Sequence, residues 1–229
     1  SKYIKSYAGP LLEREVTALE KVHLKKSLYI LAGGKPQADA KLLKKNRNII
    51  AAGYFGQMIL IAAGKNLGYQ NRYLKKDALV KGNYESFLKK LKQWNREVKT
   101  PIDFALNVNG KRVEKDLNEF PQKHQIDDIG QKSIDLFTSE IKKAKSIYMK
   151  GPVGYSTKKN FAKGTTEILK AIAKSRAYSI IGGGHLSQAL EQAKIPKKKF
   201  SHVSLSGGAL LNYLAGEKLP GLKALGYYN

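Results

Sequence analysis

Short apolar runs that end close to a glycine recur along this chain of 229 residues. The runs are continuously apolar rather than alternating, which is typical of parallel strands covered by helices on both faces. We therefore predict six strands, at residues 28–32, 49–52, 102–106, 146–149, 178–181 and 202–205.

Amphipathic segments with helical periodicity fill the gaps between these runs. They lie at residues 11–22, 55–63, 84–93, 134–144, 161–175, 186–194 and 209–215. This alternation predicts an α/β fold with a doubly wound, mainly parallel six-stranded sheet and helices on both faces. No Pro/Ser-rich linker interrupts the pattern, so we predict one domain over residues 1–229, with a leading helix within 1–24. Asn109-Gly110 is a strong hairpin signal and predicts a small antiparallel excursion over 104–118.

The composition of the chain indicates its cellular compartment. The chain has no cysteine, which excludes disulfides and thiolate metal sites and suits a reducing compartment. The most apolar run, Ile49–Gly64, is too short to span a bilayer and contains Gln57 and three glycines. No apolar segment follows the first charged residues as in a secretory signal. We therefore expect a cytoplasmic protein without a membrane segment.

The charge is strongly basic, with 42 Lys and Arg against 18 Asp and Glu, a formal net charge of +24. A solvated lysine-rich surface is the simpler explanation, but such surfaces usually balance lysine with glutamate. The imbalance therefore favours a polyanionic partner such as RNA. The candidate RNA-binding residues are Lys25, Lys26, Lys44, Lys45, Arg47, Lys75, Lys76, Lys158, Lys159, Lys197, Lys198 and Lys199.

The glycines that follow the predicted strands indicate a ligand crevice. In an open parallel sheet, loops at the carboxyl ends of the strands line the binding site, and glycine allows backbone N–H groups to approach a phosphate. The chain contains neither a Walker-type phosphate loop nor a Gly-x-Gly-x-x-Gly fingerprint. The pattern alone therefore predicts a nucleotide or phosphate site of unspecified kind.

Several motifs resemble one known family, phosphoglycerate kinase, in the C-terminal, nucleotide-binding half of an archaeal-type enzyme. The motifs are YAGPLLERE at 7–15, LAGG at 31–34, GYFG at 53–56, GPVG at 151–154, FAKGT at 161–165, IIGGGH at 180–185, SHVS at 201–204 with GGA at 207–209, and GEKLPG at 216–221. Their order and spacing cover nearly the whole chain.

The resemblance implies a domain that holds ATP or ADP with magnesium, while the other half of the enzyme holds the phosphoglycerate. The implied nucleotide-binding residues are Gly33, Gly34, Lys35, Asp39, Gly53, Gly151, Pro152, Gly154, Gly182, Gly183, Gly184, Ser206 and Gly207. We expect no catalytic residue and no metal ligand on this chain, since the four histidines are scattered and no carboxylates cluster with them. Asp127-Asp128 is a candidate carboxylate pair, although a cap for the helix that follows is the interpretation we favour.

Departures from the family motifs weaken the catalytic interpretation. Pro36 occupies the place of the family's phosphate-binding lysine, with Lys35 one position early. Lys150 replaces an asparagine and Thr157 a ribose-binding carboxylate, while His185 follows the triple glycine where the family commonly has aspartate.

Two hypotheses follow from these observations. The first is a stand-alone, catalytically inactive phosphoglycerate-kinase-like protein that binds RNA, associates with the ribosome and requires no cofactor. The alternative is the ATP/ADP-binding half of a split or truncated phosphoglycerate kinase, with a separate N-terminal half as its partner.

Overall fold

A computed structural model describes residues 7–21, 27–43, 48–77, 84–93, 98–204 and 206–228. The strands are β1 (Leu28–Leu31), β2 (Ile49–Ala51), β3 (Asp103–Val108), β4 (Lys111–Asp116), β5 (Gln125–Ile129), β6 (Ser146–Lys150), β7 (Tyr178–Gly182) and β8 (His202–Ser204). The helices are α1 (Pro10–Glu20), α2 (Pro36–Asp39), α3 (Gly53–Ala62), α4 (Tyr69–Lys76), α5 (Tyr84–Lys92), α6 (Gln131–Lys143), α7 (Lys163–Lys174), α8 (Gly184–Gln192), α9 (Gly208–Leu214) and α10 (Pro220–Ala224). Short 3₁₀ turns lie at Ala40–Leu42, Leu117–Glu119, Lys159–Phe161 and Lys197–Lys199.

The main sheet has five parallel strands in the order β2-β1-β6-β7-β8. Successive side chains of β1 point to opposite faces of the sheet and are buried on both, as the continuous apolar pattern predicts. Tyr29 and Leu31 pack with residues of α1, α3, α5 and α9, whereas Leu28 and Ile30 pack with residues of α6, α7 and α8. The predicted α/β fold, with a parallel sheet covered by helices on both faces, is therefore confirmed. None of the described helices is long and apolar enough to cross a membrane.

The strand predicted at residues 102–106 does not join this sheet, which therefore has five strands rather than the predicted six. Residues 103–108 form β3, the central strand of a separate three-stranded antiparallel sheet in the order β4-β3-β5. Asn109 and Gly110 form the turn between β3 and β4, with positive φ angles of 52° and 81°. Asn109-Gly110 turns the chain straight back onto β3, so β3 pairs with β4 and then β5 instead of joining the parallel strands.

The carboxylate of Asp103 fixes the start of α6 from this second sheet. Its two oxygens accept hydrogen bonds from the backbone N–H groups of Lys132 (2.9 Å) and Ser133 (2.8 Å), which are otherwise unpaired at a helix N-terminus. Our expectation that Asp127 and Asp128 cap this helix is therefore wrong. Both aspartates lie in β5 with buried side chains.

Candidate functional site

A cavity of about 230 Å³ lies at the carboxyl edge of the parallel sheet. Loops that follow β1, β2, β6 and β7 converge there, and β5 of the second sheet closes one side. The residues around it are Gly33, Gly34, Gly53, Tyr54, Gln57, Ile126, Asp127, Asp128, Pro152, Val153, Gly154, Tyr155, Ser156, Thr157 and His185. This edge is where open α/β sheets bind their ligands.

The loops approach one another so closely that two glycines are required by the geometry. Gly151 has φ +77°, and a Cβ there would lie 2.1 Å from the carbonyl oxygen of Ala32 at the end of β1. Gly53 has φ +54°, and a Cβ there would lie 2.8 Å from the backbone nitrogen of Gly33. The glycines therefore allow the loops after β1, β2 and β6 to pack backbone against backbone beside the cavity.

Tyrosine hydroxyl groups form a network beside the cavity. The hydroxyl of Tyr155 lies 2.9 Å from that of Tyr73 and 3.2 Å from that of Tyr54. The hydroxyl of Tyr54 also donates to Asp77 Oδ2 at 3.1 Å. Burial raises the pKa of Tyr73 to about 12, so the Tyr73 hydroxyl stays protonated near neutral pH. It joins α3 and α4 to the loop after β6 and fixes the Tyr155 ring at the cavity.

Two buried aspartates of β5 form ion pairs with cations from outside that strand. Lys158 Nζ lies 2.7 Å from Asp127 Oδ2 and 4.2 Å from the centre of the Tyr155 ring. Arg112 Nη1 of β4 lies 2.8 Å from Asp128 Oδ2, which also accepts the backbone N–H of Gly164 at 2.8 Å. Asp128 therefore ties the second sheet to the first turn of α7.

A third buried carboxylate, Asp39, lies at the end of α2 and forms an ion pair with Lys150 at the end of β6. Its side chain is fully buried, and that of Lys150 is 12% exposed. Burial raises the pKa of Asp39 to about 7, although the Lys150 cation opposes this shift. Neither residue lines the cavity as far as the described residues define it.

The raised pKa of Asp39 predicts a pH-dependent stability. The folded state retains a proton that the unfolded chain loses near pH 4, so the contribution of Asp39 is fully present below about pH 4 and is lost as the pH rises through about 7. We expect the difference in unfolding free energy, wild type minus Asp39→Asn, to fall by roughly 1–4 kcal/mol between those limits. Urea unfolding across this range measures it. Parallel curves for the two proteins would contradict the prediction.

With this geometry established, comparison with known proteins assigns the family. The family model described as phosphoglycerate kinase matches residues 1–217. The chain belongs to the phosphoglycerate kinase family. The glycine motifs predicted a C-terminal-type domain of this family, and that prediction is confirmed.

Relatives and solved structures agree with this assignment. Phosphoglycerate kinase from Methanothermus fervidus is 36% identical over 233 residues, which cover 96% of this chain and 55% of that protein. The enzyme from Pyrococcus furiosus is 37% identical over 236 residues, covering 95% and 56%. The crystal structure of the Pyrococcus horikoshii OT3 enzyme superimposes with a TM-score of 0.84 at 31% identity, covering 95% of this chain and 56% of that one. The Coxiella burnetii enzyme gives 0.78 at 29% identity, covering 96% and 58%. The chain thus spans about half the length of these kinases.

The residues implied by the phosphoglycerate kinase resemblance fall into two groups. Gly33, Gly34, Gly53, Pro152 and Gly154 line the cavity directly. The others lie at the same sheet edge or in the elements beside it, and they are Lys35, Asp39, Gly151, Gly182, Gly183, Gly184, Ser206 and Gly207. Sequence analysis missed the contribution of β5, because its buried aspartates resemble a helix cap when seen only in sequence.

The basic candidates are only partly described. Lys25, Lys26, Lys44, Lys45 and Arg47 lie outside the described residues. Three of the others form ion pairs, Lys75 with Glu85 (2.7 Å), Lys158 with Asp127 (2.7 Å) and Lys197 with Glu191 (3.3 Å). Lys76, Lys159, Lys198 and Lys199 are exposed.

Magnesium has no evident protein site in the part of the chain that is described. No group of three or more histidine, aspartate or glutamate side chains is placed there to hold a metal ion. The buried carboxylates nearest the cavity already pair with Lys158 and Arg112. These residues do not fit a metal bound directly by carboxylates.

Proposed function

We propose that this chain is the nucleotide-binding half of a phosphoglycerate kinase and binds ADP or ATP in the glycine-lined cavity. One observation carries the proposal: in a chain of this family, four loops from the carboxyl edge of a parallel sheet enclose a single cavity. Crevices of this kind bind nucleotides in many α/β proteins because strand ends and helix N-termini meet there.

The two ends of the site suit different parts of a nucleotide. Val153 is buried, and with Pro152 and Gly53 it provides a largely apolar wall for the base and ribose. Towards β7, the cavity reaches His185 in the first turn of α8. The N–H groups of a first helical turn have no partner within the helix, and the helix dipole favours negative charge there. We therefore assign the phosphates to the α8 end.

Phosphoryl transfer needs more than this half. Catalysis in this reaction class depends almost entirely on positioning two substrates and stabilising charge between them. We assign the phosphoglycerate to the remaining half that the relatives possess, and we treat magnesium as part of the nucleotide substrate. The chain alone is then expected to bind nucleotide without transferring phosphate.

RNA binding has less support than nucleotide binding. It rests on the basic charge, the missing half of the enzyme and the departures from the family motifs, and three of the candidate lysines are engaged in ion pairs. The relatives and structures compared above are all named phosphoglycerate kinase. RNA binding therefore stays a prediction from composition.

Reconstitution tests the proposed function. The amino-terminal half of the Methanothermus fervidus kinase would be mixed with this chain, and in a second sample fused to it. Phosphoryl transfer between ATP and 3-phosphoglycerate would be assayed in each sample. We expect no transfer by either half alone and measurable transfer by the combined halves. Inactivity of both samples, with each half correctly folded, would contradict the proposal.

A further inference from the structure

We propose that Asp127 recognises the exocyclic amino group of the purine base, so that the site selects 6-aminopurine nucleotides over 6-oxopurine ones. This inference rests on the proposed function, because it concerns the base end of the same cavity. It assigns specificity to a charged side chain of β5.

The hydrogen bonding of Asp127 is incomplete. Its side chain is fully buried, and Oδ2 accepts from Asn107 Nδ2 at 2.7 Å and from Lys158 Nζ at 2.7 Å. Oδ1 is also buried and has no partner among the described residues. An unsatisfied buried acceptor is costly, and such atoms in native proteins call for an explanation. Because Asp127 lines the cavity, a donor on a bound ligand would supply the missing partner.

A local irregularity in the strand places this residue at the cavity. The pairing of β3 with β5 shifts between Ala105 and Leu106: Ala105 pairs with Asp128 and Leu106 with Ile126. Asp127 is therefore the extra residue of a β-bulge, a feature that re-aims side chains beside functional sites. Its carbonyl oxygen accepts the backbone N–H of Tyr155 at 2.7 Å, which joins the bulge to the loop after β6.

The number of free acceptors identifies the base. Oδ2 stays hydrogen-bonded to Asn107 Nδ2, so one carboxylate oxygen, Oδ1, remains for the ligand. Guanine offers adjacent N–H and amino donors that suit a carboxylate with both oxygens free. Adenine offers a single 6-amino group, which suits one free oxygen. The charge on Asp127 also disfavours the 6-oxo group of hypoxanthine at the same position.

A base can reach Oδ1 only by displacing a neighbouring group. Lys158 contacts both Asp127 and the Tyr155 ring, and its side chain is 42% exposed. An ion pair of this exposure holds its lysine weakly. We therefore expect Lys158 to move aside when the base enters, while Asn107 keeps Oδ2 in place.

Calorimetric titration with three nucleotides tests the inference. ADP, inosine 5′-diphosphate and purine riboside 5′-diphosphate, which lacks the 6-amino group, would be titrated into the wild type and into Asp127→Asn. We expect the wild type to bind ADP at least about tenfold more tightly than the other two, the effect of one charge-assisted hydrogen bond. In Asp127→Asn, Asn107 Nδ2 still donates to the remaining oxygen, so the amide N–H₂ faces the base. The preference for ADP over inosine diphosphate should then fall by at least about tenfold. Asp135→Asn, an exposed change on α6, is the matched control and should behave as wild type.

The outcomes separate this inference from the proposed function. Equal wild-type affinity for ADP and purine riboside diphosphate would overturn the role of Asp127 and leave nucleotide binding intact. Absence of binding by all three nucleotides would instead overturn the proposed function. If circular dichroism shows that Asp127→Asn is unfolded, the three wild-type titrations decide the matter alone.

Discussion

Replacing Gly151 by alanine is expected to destabilise the domain and abolish most nucleotide binding. Gly151 has φ +77°, and its added Cβ would lie 2.1 Å from the carbonyl oxygen of Ala32. The left-handed conformation costs an alanine about 1–2 kcal/mol, and the overlap adds roughly 1–3 kcal/mol. Relief requires β1 and β6 to separate at their carboxyl ends, which moves the loops that line the cavity. We therefore expect a loss of roughly 2–5 kcal/mol in unfolding free energy and at least about tenfold weaker ADP binding.

Urea unfolding and calorimetry measure the two effects of Gly151→Ala. Gly221→Ala in α10 is the matched control, because its Cβ would meet nothing within 4 Å and its position is exposed. The control should change stability by no more than about 1 kcal/mol, in the stabilising direction expected for alanine in a helix. Wild-type stability and affinity in Gly151→Ala would show that the loops do not need this close approach.

Replacing Arg112 by alanine is expected to destabilise the second sheet strongly. The guanidinium lies 2.8 Å from the buried carboxylate of Asp128, and its Nη2 donates to the carbonyl oxygen of Ile129 at 2.7 Å. Burial already raises the pKa of Asp128 to about 6, with Arg112 among the groups that oppose this shift. Removing one partner leaves a buried carboxylate without its cation, which typically costs about 3–5 kcal/mol.

The pH dependence of Arg112→Ala gives a second measurement. Without the cation, the pKa of Asp128 should rise further, so the variant should lose more stability than wild type between about pH 5 and pH 8. Lys111→Ala, an exposed change on the same strand, should leave both the unfolding free energy and its pH profile unchanged within about 0.5 kcal/mol. Equal unfolding curves for Arg112→Ala and wild type would contradict the role assigned to the pair.

The main sheet could be predicted from sequence because its signals are local. Runs such as 28–32 are apolar at every position and end at glycines, which indicates a strand covered on both faces and a close turn. The run at 102–106 is also mostly apolar, although it contains Asp103 and is followed by Asn107 rather than a glycine, and it joins the antiparallel sheet. What distinguishes it is the hairpin at Asn109-Gly110 and the pairing with β5, and the second of these is not visible locally.

The base end of the site could not be predicted, because its determinants are tertiary. Asp127 and Asp128 resemble a helix cap in sequence, since acidic residues before an amphipathic segment commonly serve that purpose. Their burial depends on Arg112 and Lys158, which lie 16 and 31 positions away along the chain. The bulge that presents Asp127 to the cavity exists only once β3 and β5 are paired.

A calorimetric titration of the chain with ADP in the presence of magnesium tests the central claim most directly. Because the chain has the phosphoglycerate kinase fold and its glycine loops surround one cavity, it should bind ADP with a dissociation constant in the micromolar range. Gly151→Ala should weaken that binding. Heats indistinguishable from dilution at millimolar ADP, with a protein shown to be folded, would contradict the claim that this cavity is a nucleotide site.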